Sequence, residues 1–172
     1  SLGISRALAT EDPGNTQAHQ DLHFGLAKVG QVLFSVDDFA AALTVTRESL
    51  EVARALAAKD KSNLLWLRGV VASLGGLGNI LKAQGNLDGA LAAHREGLSI
   101  RRSLVAMDVH NTEWQRDESV GLNSIGDVLR AQGDIAAAIA AYRDALDVIR
   151  ALSDKDGSNI GWQIDVVYSL IR

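Results

Sequence analysis

The sequence holds 172 residues, 47% of them hydrophobic, with a single proline, no cysteine and a formal net charge of −4. So little proline leaves long helices free to form, since nothing removes donors or clashes with the preceding turn, and the absence of cysteine excludes disulfides, thiol nucleophiles and thiolate metal sites. Seventeen basic and 21 acidic residues are spread along the chain, which argues against nucleic acid, a partner that calls for a clustered basic surface.

The first residues, SLGISRALATED, lack the charged and apolar regions of a signal peptide. No apolar run approaches the roughly 18 residues of a membrane span, so a cytoplasmic protein with no membrane partner is expected. Landmarks then return every 48 residues. Trp66, Trp114 and Trp162 keep that interval, as do Gly30, Gly78 and Gly126, and Ala42, Ala90 and Ala138. Leu50, Leu98 and Leu146 follow it too. Arg6, Arg54, Arg102 and Arg150 extend it to four copies, together with Asp12, Asp60, Asp108 and Asp156, and with Asn15, Asn63, Asn111 and Asn159. Recurrence of this kind is the signature of a stacked repeat architecture.

In chain order, residues 1–14 predict the end of a helix whose hairpin partner lies outside the sequence. Repeats follow at about 15–62, 63–110 and 111–158, each a hairpin of two helices, and 159–172 form a last half repeat. A chain that begins and ends out of phase is expected to be part of a longer protein. In the third copy Asn111 is placed to cap the first helix, its side chain accepting from a free backbone donor. Trp114, Leu122, Ile125 and Leu129 fall at helical spacing. Gly133 supplies a left-handed stop, and Asp134 opens the second helix, whose stripe reads Ile135, Ala138, Ile139, Tyr142, Leu146 and Ile149. Interior glycines cost up to about 1 kcal/mol against alanine, so Gly78 is expected to face Ala90 and let two backbones approach. Trp66, through Val70, is expected to seal the long first helix.

Leu122, Ile125, Gly126, Leu129, Gly133, Ile135, Ala138, Tyr142, Ala145 and Leu146 together resemble the tetratricopeptide repeat. In the second copy the matching residues are Leu74, Leu77, Gly78, Leu81, Gly85, Leu87, Ala90, His94, Gly97 and Leu98. The first copy departs more, with Asp37 for the turn glycine and Thr46 and Ser49 for the aromatic and the alanine. The ordinary motif is about 34 residues long; the surplus is assigned to the start of the first helix and the end of the second. Arg102 and Arg150 stand where the motif closes on proline. The resemblance implies an all-α fold, a right-handed superhelical solenoid of antiparallel helix hairpins, with three full repeats flanked by two half repeats. Long repeats of this style look like those beside effector domains of larger bacterial proteins.

No catalytic constellation or cofactor site is expected. His19 and His23 are four apart, a spacing that can bring two imidazoles to one metal, but no HExxH pattern accompanies them and solvated or capped histidines are expected. Arg47, Arg95 and Arg143 are each followed by an acid, Glu48, Glu96 and Asp144, which reads as an exposed charged ladder worth little per pair. The glycines of SLGGLGNILKAQGN have no strand before them and form no phosphate loop.

The resemblance further implies that a partner peptide or helix lies on a concave face lined by the first helix of each hairpin. Carried onto this chain, that face comprises Gln31, Phe34, Arg68, Asn79, Lys82, Arg116, Asn123, Asp127 and Arg130. Gln31, Asn79 and Asp127 share one repeat position, and amides there can pair with a ligand backbone; Lys82 and Arg130 share another and add positive charge. The family's clamp for C-terminal carboxylates is not expected, since Ala27, Gly76, Val120 and Ser124 stand in its positions. A protein-interaction scaffold, forming the docking or sensing part of a larger protein, is therefore the leading expectation. The alternative is a self-associating structural element, because Leu2, Ile4 and Leu8 near the start and Trp162, Val166, Leu170 and Ile171 near the end keep apolar faces without a partner helix. Weak end-to-end association is expected from them.

Overall fold

A computed structural model describes residues 2–155 together with 159, 161, 162 and 164. Among the described residues there are seven helices and no strand: α1 Leu2–Glu11, α2 Thr16–Ser35, α3 Phe39–Lys59, α4 Leu64–Ala83, α5 Leu87–Met107, α6 Thr112–Gln132 and α7 Ile135–Lys155. The chain is all-helical, with neighbouring helices packed as in a repeat solenoid.

Local chemistry sets each boundary. Asn15, Asn63 and Asn111 cap α2, α4 and α6, their side chains accepting from the amides of Ala18, Trp66 and Trp114. Asp38, Asn86 and Asp134 do the same for α3, α5 and α7. Each such bond satisfies a donor that the first turn leaves open. Within the hairpins the chain reverses through a left-handed residue, Asp37, Gly85 or Gly133, with φ of 60°, 79° and 85°. The next amide then reaches back to the helix, from Asp38, Asn86 and Asp134 to the carbonyls of Leu33, Leu81 and Leu129, the Schellman closure of a helix end. Aspartate therefore does the turn glycine's work at position 37. Between hairpins, Asp12, Asp60 and Asp108 each accept from the amide two residues on. These side-chain turns explain why aspartate recurs there.

The chain divides into two compact units, Ser1–Ala93 and His94–Arg172, the division falling within α5. In the first, α1 packs on α2 through Ala9, Ala18, Leu22 and Leu26, with Leu2, Val45 and Val52 beside them. Helices α2 and α3 run antiparallel: Phe34 meets Phe39 near the turn, while His23 meets Ser49 far from it. Helix α4 lies against α3, with Ser73 beside Ser49 and Gly76 beside Thr46. By length and composition α4 is apolar enough to cross a membrane, contrary to the sequence expectation. Its Val70, Val71, Leu74, Ile80 and Leu81 are buried in this unit, as an inner helix of a stack requires. Trp66 is only half-buried, its Nε1 enclosed without an acceptor.

In the second unit α6 buries Trp114, Leu122, Ile125, Val128 and Leu129, and α7 buries Ala138, Ala141, Tyr142, Ala145, Ile149 and Leu152. Two members of the expected α7 stripe are corrected: Ile135 and Ile139 are 53% and 43% exposed. The small side chains of Ala141 and Ala145 take the inward positions instead, which lets α7 approach closely. Gly78 and Ala90 are both buried, and two other helical glycines face side chains. Gly126 faces the ring of Tyr142, and Gly30 faces the Thr46 hydroxyl more closely than Ala42. The residue accommodated is thus the one in the motif's aromatic slot. Near the end of the chain Asn159 accepts from the Trp162 amide; Val166, Leu170 and Ile171 lie outside the described residues.

Candidate functional site

In the first unit a cleft of about 460 Å³ opens over α3 between α2 and α4. Gln31 and Phe34 reach it from α2 and Asn79 from α4, so three of the expected face residues meet at one cavity. Phe34 stacks obliquely on Phe39, ring centroids 5.5 Å apart, which holds its ring as a wall. Ala27, Ala72 and Ile80 complete the apolar lining. The floor is polar, with Thr46, Ser49 and Ser73 contributing hydroxyls.

That floor belongs to a buried network. Ser49 Oγ lies 3.2 Å from Ser73 Oγ and 3.0 Å from His23 Nδ1. His23 Nδ1 is also 3.2 Å from the Ser49 carbonyl, which accepts when the ring carries its proton on Nδ1. Burial holds the His23 pKa below its ordinary value, opposed in part by this bond to the Ser49 carbonyl. Buried and hydrogen-bonded, these groups are satisfied structure. His19 turns instead to the Asn15 carbonyl at 2.9 Å, so the two histidines share no metal position. Among the described residues no cluster of three or more His, Asp or Glu could hold a metal.

The other expected face residues are placed differently. Arg68 is exposed on α4, and Lys82 is half-buried in its last turn; neither lines the cleft. In the second unit Arg116, Asn123, Asp127 and Arg130 follow one another along α6. Asp127 accepts from the Tyr142 hydroxyl at 2.7 Å and lies 3.9 Å from Arg130. Asn123 Oδ1 is enclosed with no donor. On α5, burial works against the charge of Arg101 while Asp117 favours it.

The charged ladder also differs from its expected form. Glu48 pairs with Arg6 of α1 through two bonds of 2.7 and 2.9 Å, and Arg102 of α5 pairs with Glu118 of α6 at 2.9 Å. Adjacent residues on a helix do not face one another, and Glu48 is answered by α1 rather than by Arg47. Arg95 and Asp144 instead border a shallow depression of about 700 Å³ in the second unit, with Arg102. At the inter-hairpin turn, bonds from the Ser62 hydroxyl and amide hold Asp60 below the usual carboxylate range.

The polar floor was not among the expected site residues. Thr46 and Ser49 stand out in the sequence as departures from the motif, but their convergence with Ser73 depends on three helices meeting.

Known proteins give the following similarities. The model of the family described as tetratricopeptide repeat matches residues 70–108 and 121–157. The crystal structure of BtubC (BKLC) from P. vanneervenii is similar with a TM-score of 0.66 and 18% identity, over 98% of this chain and 58% of that one. This chain therefore spans little more than half that neighbour's length, and the likeness is one of fold. The MamA RS-1 ArsTM double mutant gives a TM-score of 0.33 and 16% identity, over 88% of this chain and 84% of that one. No curated protein matches the sequence.

Proposed function

We propose that the chain is an interaction scaffold: residues 70–108 and 121–157 match the model of the tetratricopeptide repeat family, whose repeats generally mediate protein–protein contact without catalysis. It holds an extended peptide or a helix of a partner protein on the first helices of its hairpins, α2 and α4 in the first unit and α6 in the second, and serves as the docking or sensing part of a larger protein. The observation that carries this reading is the cleft where Gln31, Phe34 and Asn79 meet. An amide offers both donors and an acceptor, so Gln31 and Asn79 can answer a peptide backbone while Phe34 supplies apolar contact. Along α4 and α6, Arg68, Lys82, Arg116 and Arg130 add positive charge, which steers and orients a partner more than it tightens the complex.

The test is to identify a partner with the full-length protein and then reverse two of these charges. Lys82→Glu with Arg130→Glu should abolish partner binding while helicity, read by circular dichroism, is unchanged. Reversal at Arg95 and Arg143 should matter far less. If the Arg95 and Arg143 variants release the partner while Lys82→Glu with Arg130→Glu keeps it, the face is wrongly placed.

A second reading, self-association, has its own observation: Ile4 and Leu8 of α1 are 61% and 45% exposed, although Leu2 and Ala9 pack into the α1–α2 core.

A further inference from the structure

The three hairpins put different residues at one inward position: Thr46 in the first, His94 in the second and Tyr142 in the third. In the third hairpin the position is full. Tyr142 is 7% exposed, its ring lies on Gly126, and its hydroxyl donates to Asp127 at 2.7 Å. The first hairpin keeps the place for such a ring without supplying one. Gly30 stands at the position of Gly126 and Gln31 at that of Asp127, but the side chain between them ends at the γ atoms of Thr46. Thr46 Oγ1 lies against Gly30, and its Cγ2 is the nearest neighbour of Gly76. The cleft of about 460 Å³ lies over these residues, with Gly30, Gln31, Thr46 and Gly76 all in its lining.

We propose that this cleft receives one tyrosine side chain of the partner segment. The ring lies in the cleft over Thr46, whose Oγ1 covers Gly30, and the hydroxyl donates to the Gln31 amide oxygen as Tyr142 donates to Asp127. Phe34 and Ile80 supply apolar walls, and an edge-to-face or offset contact with the Phe34 ring suits an aromatic guest. Gln31 and the nearby Asn79 give the hydroxyl an acceptor, without which a buried phenol loses the hydrogen bond it had in water. This inference rests on the peptide-binding reading and adds the chemistry of its anchor.

The test needs no known partner. The 15N-labelled chain is titrated with N-acetyl-tyrosinamide, N-acetyl-phenylalaninamide and N-acetyl-tryptophanamide while amide shifts are followed. Tyrosinamide should give saturable shifts at Ala27, Gln31, Ser49 and Gly76. The phenylalanine analogue should bind on the order of three- to tenfold more weakly, the factor one neutral hydrogen bond supplies. Gln31→Leu should erase that preference, and Thr46→Tyr should fill the space from inside and abolish binding. Should Thr46→Tyr fail to fold, Ala72→Arg, at an exposed α4 position on the cleft, closes it from outside with the same expected loss. Absence of saturable shifts in the wild type, a preference for the tryptophan or phenylalanine analogue, or unchanged binding in the filled variant would each overturn the proposal. If tyrosinamide fails to bind while Lys82→Glu with Arg130→Glu still releases a partner, the anchor is wrong and the peptide-binding reading stands. If tyrosinamide binds while those reversals leave the partner in place, the cleft keeps its ligand class and the charged face is wrong.

Discussion

His23 brings a titratable ring into a core that at the matching repeat positions holds Val71 and Ser119. It is 5% exposed, and burial depresses its pKa below the ordinary value of 6.5. A depressed folded-state value means that the unfolded chain takes up the proton first. The neutral ring's contribution is therefore complete above pH 6.5 and is lost as pH falls from there through the folded-state value. The thermal midpoint should drop between pH 7 and 5 more steeply in the wild type than in His23→Val, which carries the residue found at position 71. Parallel midpoint curves for the two proteins would show that His23 does not couple folding to protons. From sequence alone His23 was legible only as half of a four-residue spacing with His19. Its actual partner, Ser49, lies on α3 and bonds in turn to Ser73 of α4, and no local pattern announces a hydrogen bond between segments so far apart in the chain.

At the scale of helices and hairpins, much more could be read. Cap and turn chemistry is local, so Asn111, Gly133 and even the substitute Asp37 act as their residue types predict. The α7 stripe was misread at Ile135 and Ile139 because periodicity marks apolar residues but does not say which flank a neighbouring helix covers. Likewise Gln31, Phe34 and Asn79 came from the resemblance, whereas the cleft's hydroxyl floor needed α2, α3 and α4 to be assembled. The hairpin geometry makes its own prediction at Gly126. A β-carbon there would stand 2.6 Å from Tyr142 Cδ1 and 2.9 Å from its Cζ, closer than packed atoms allow. Gly126→Ala gains up to about 1 kcal/mol of helix propensity, but overpacking of a filled core costs about 1–3 kcal/mol. The substitution should lower the thermal midpoint. In a Tyr142→Ala background the clash disappears and the same change should raise it. A double-mutant cycle by denaturant unfolding separates the two terms; equal effects in both backgrounds would mean that the ring does not rest on that glycine.

For the molecule as a whole, the question is whether its exposed apolar side chains find company. A repeat stack gains stability as each hairpin is covered by the next, and α1 covers α2 with Leu2 and Ala9 while leaving Ile4 and Leu8 in solvent. These two are four residues apart and so share one side of the helix. Between them Arg6 is already engaged by Glu48, so charge repulsion from this residue is muted. Against association stands the net charge of −4, whose reach at physiological ionic strength is only about 8 Å. Apolar contact at one patch should therefore win weakly, giving a concentration-dependent mass in sedimentation equilibrium that strengthens as salt is raised. Ile4→Glu with Leu8→Glu should return the chain to a monomer without changing its helicity. A wild-type chain that stays monomeric across the whole concentration range would remove the self-association reading. Association that weakens with salt would move its origin from these side chains to ion pairs. If the monomeric variant still binds a partner, the two properties are separable and the scaffold reading stands without self-assembly.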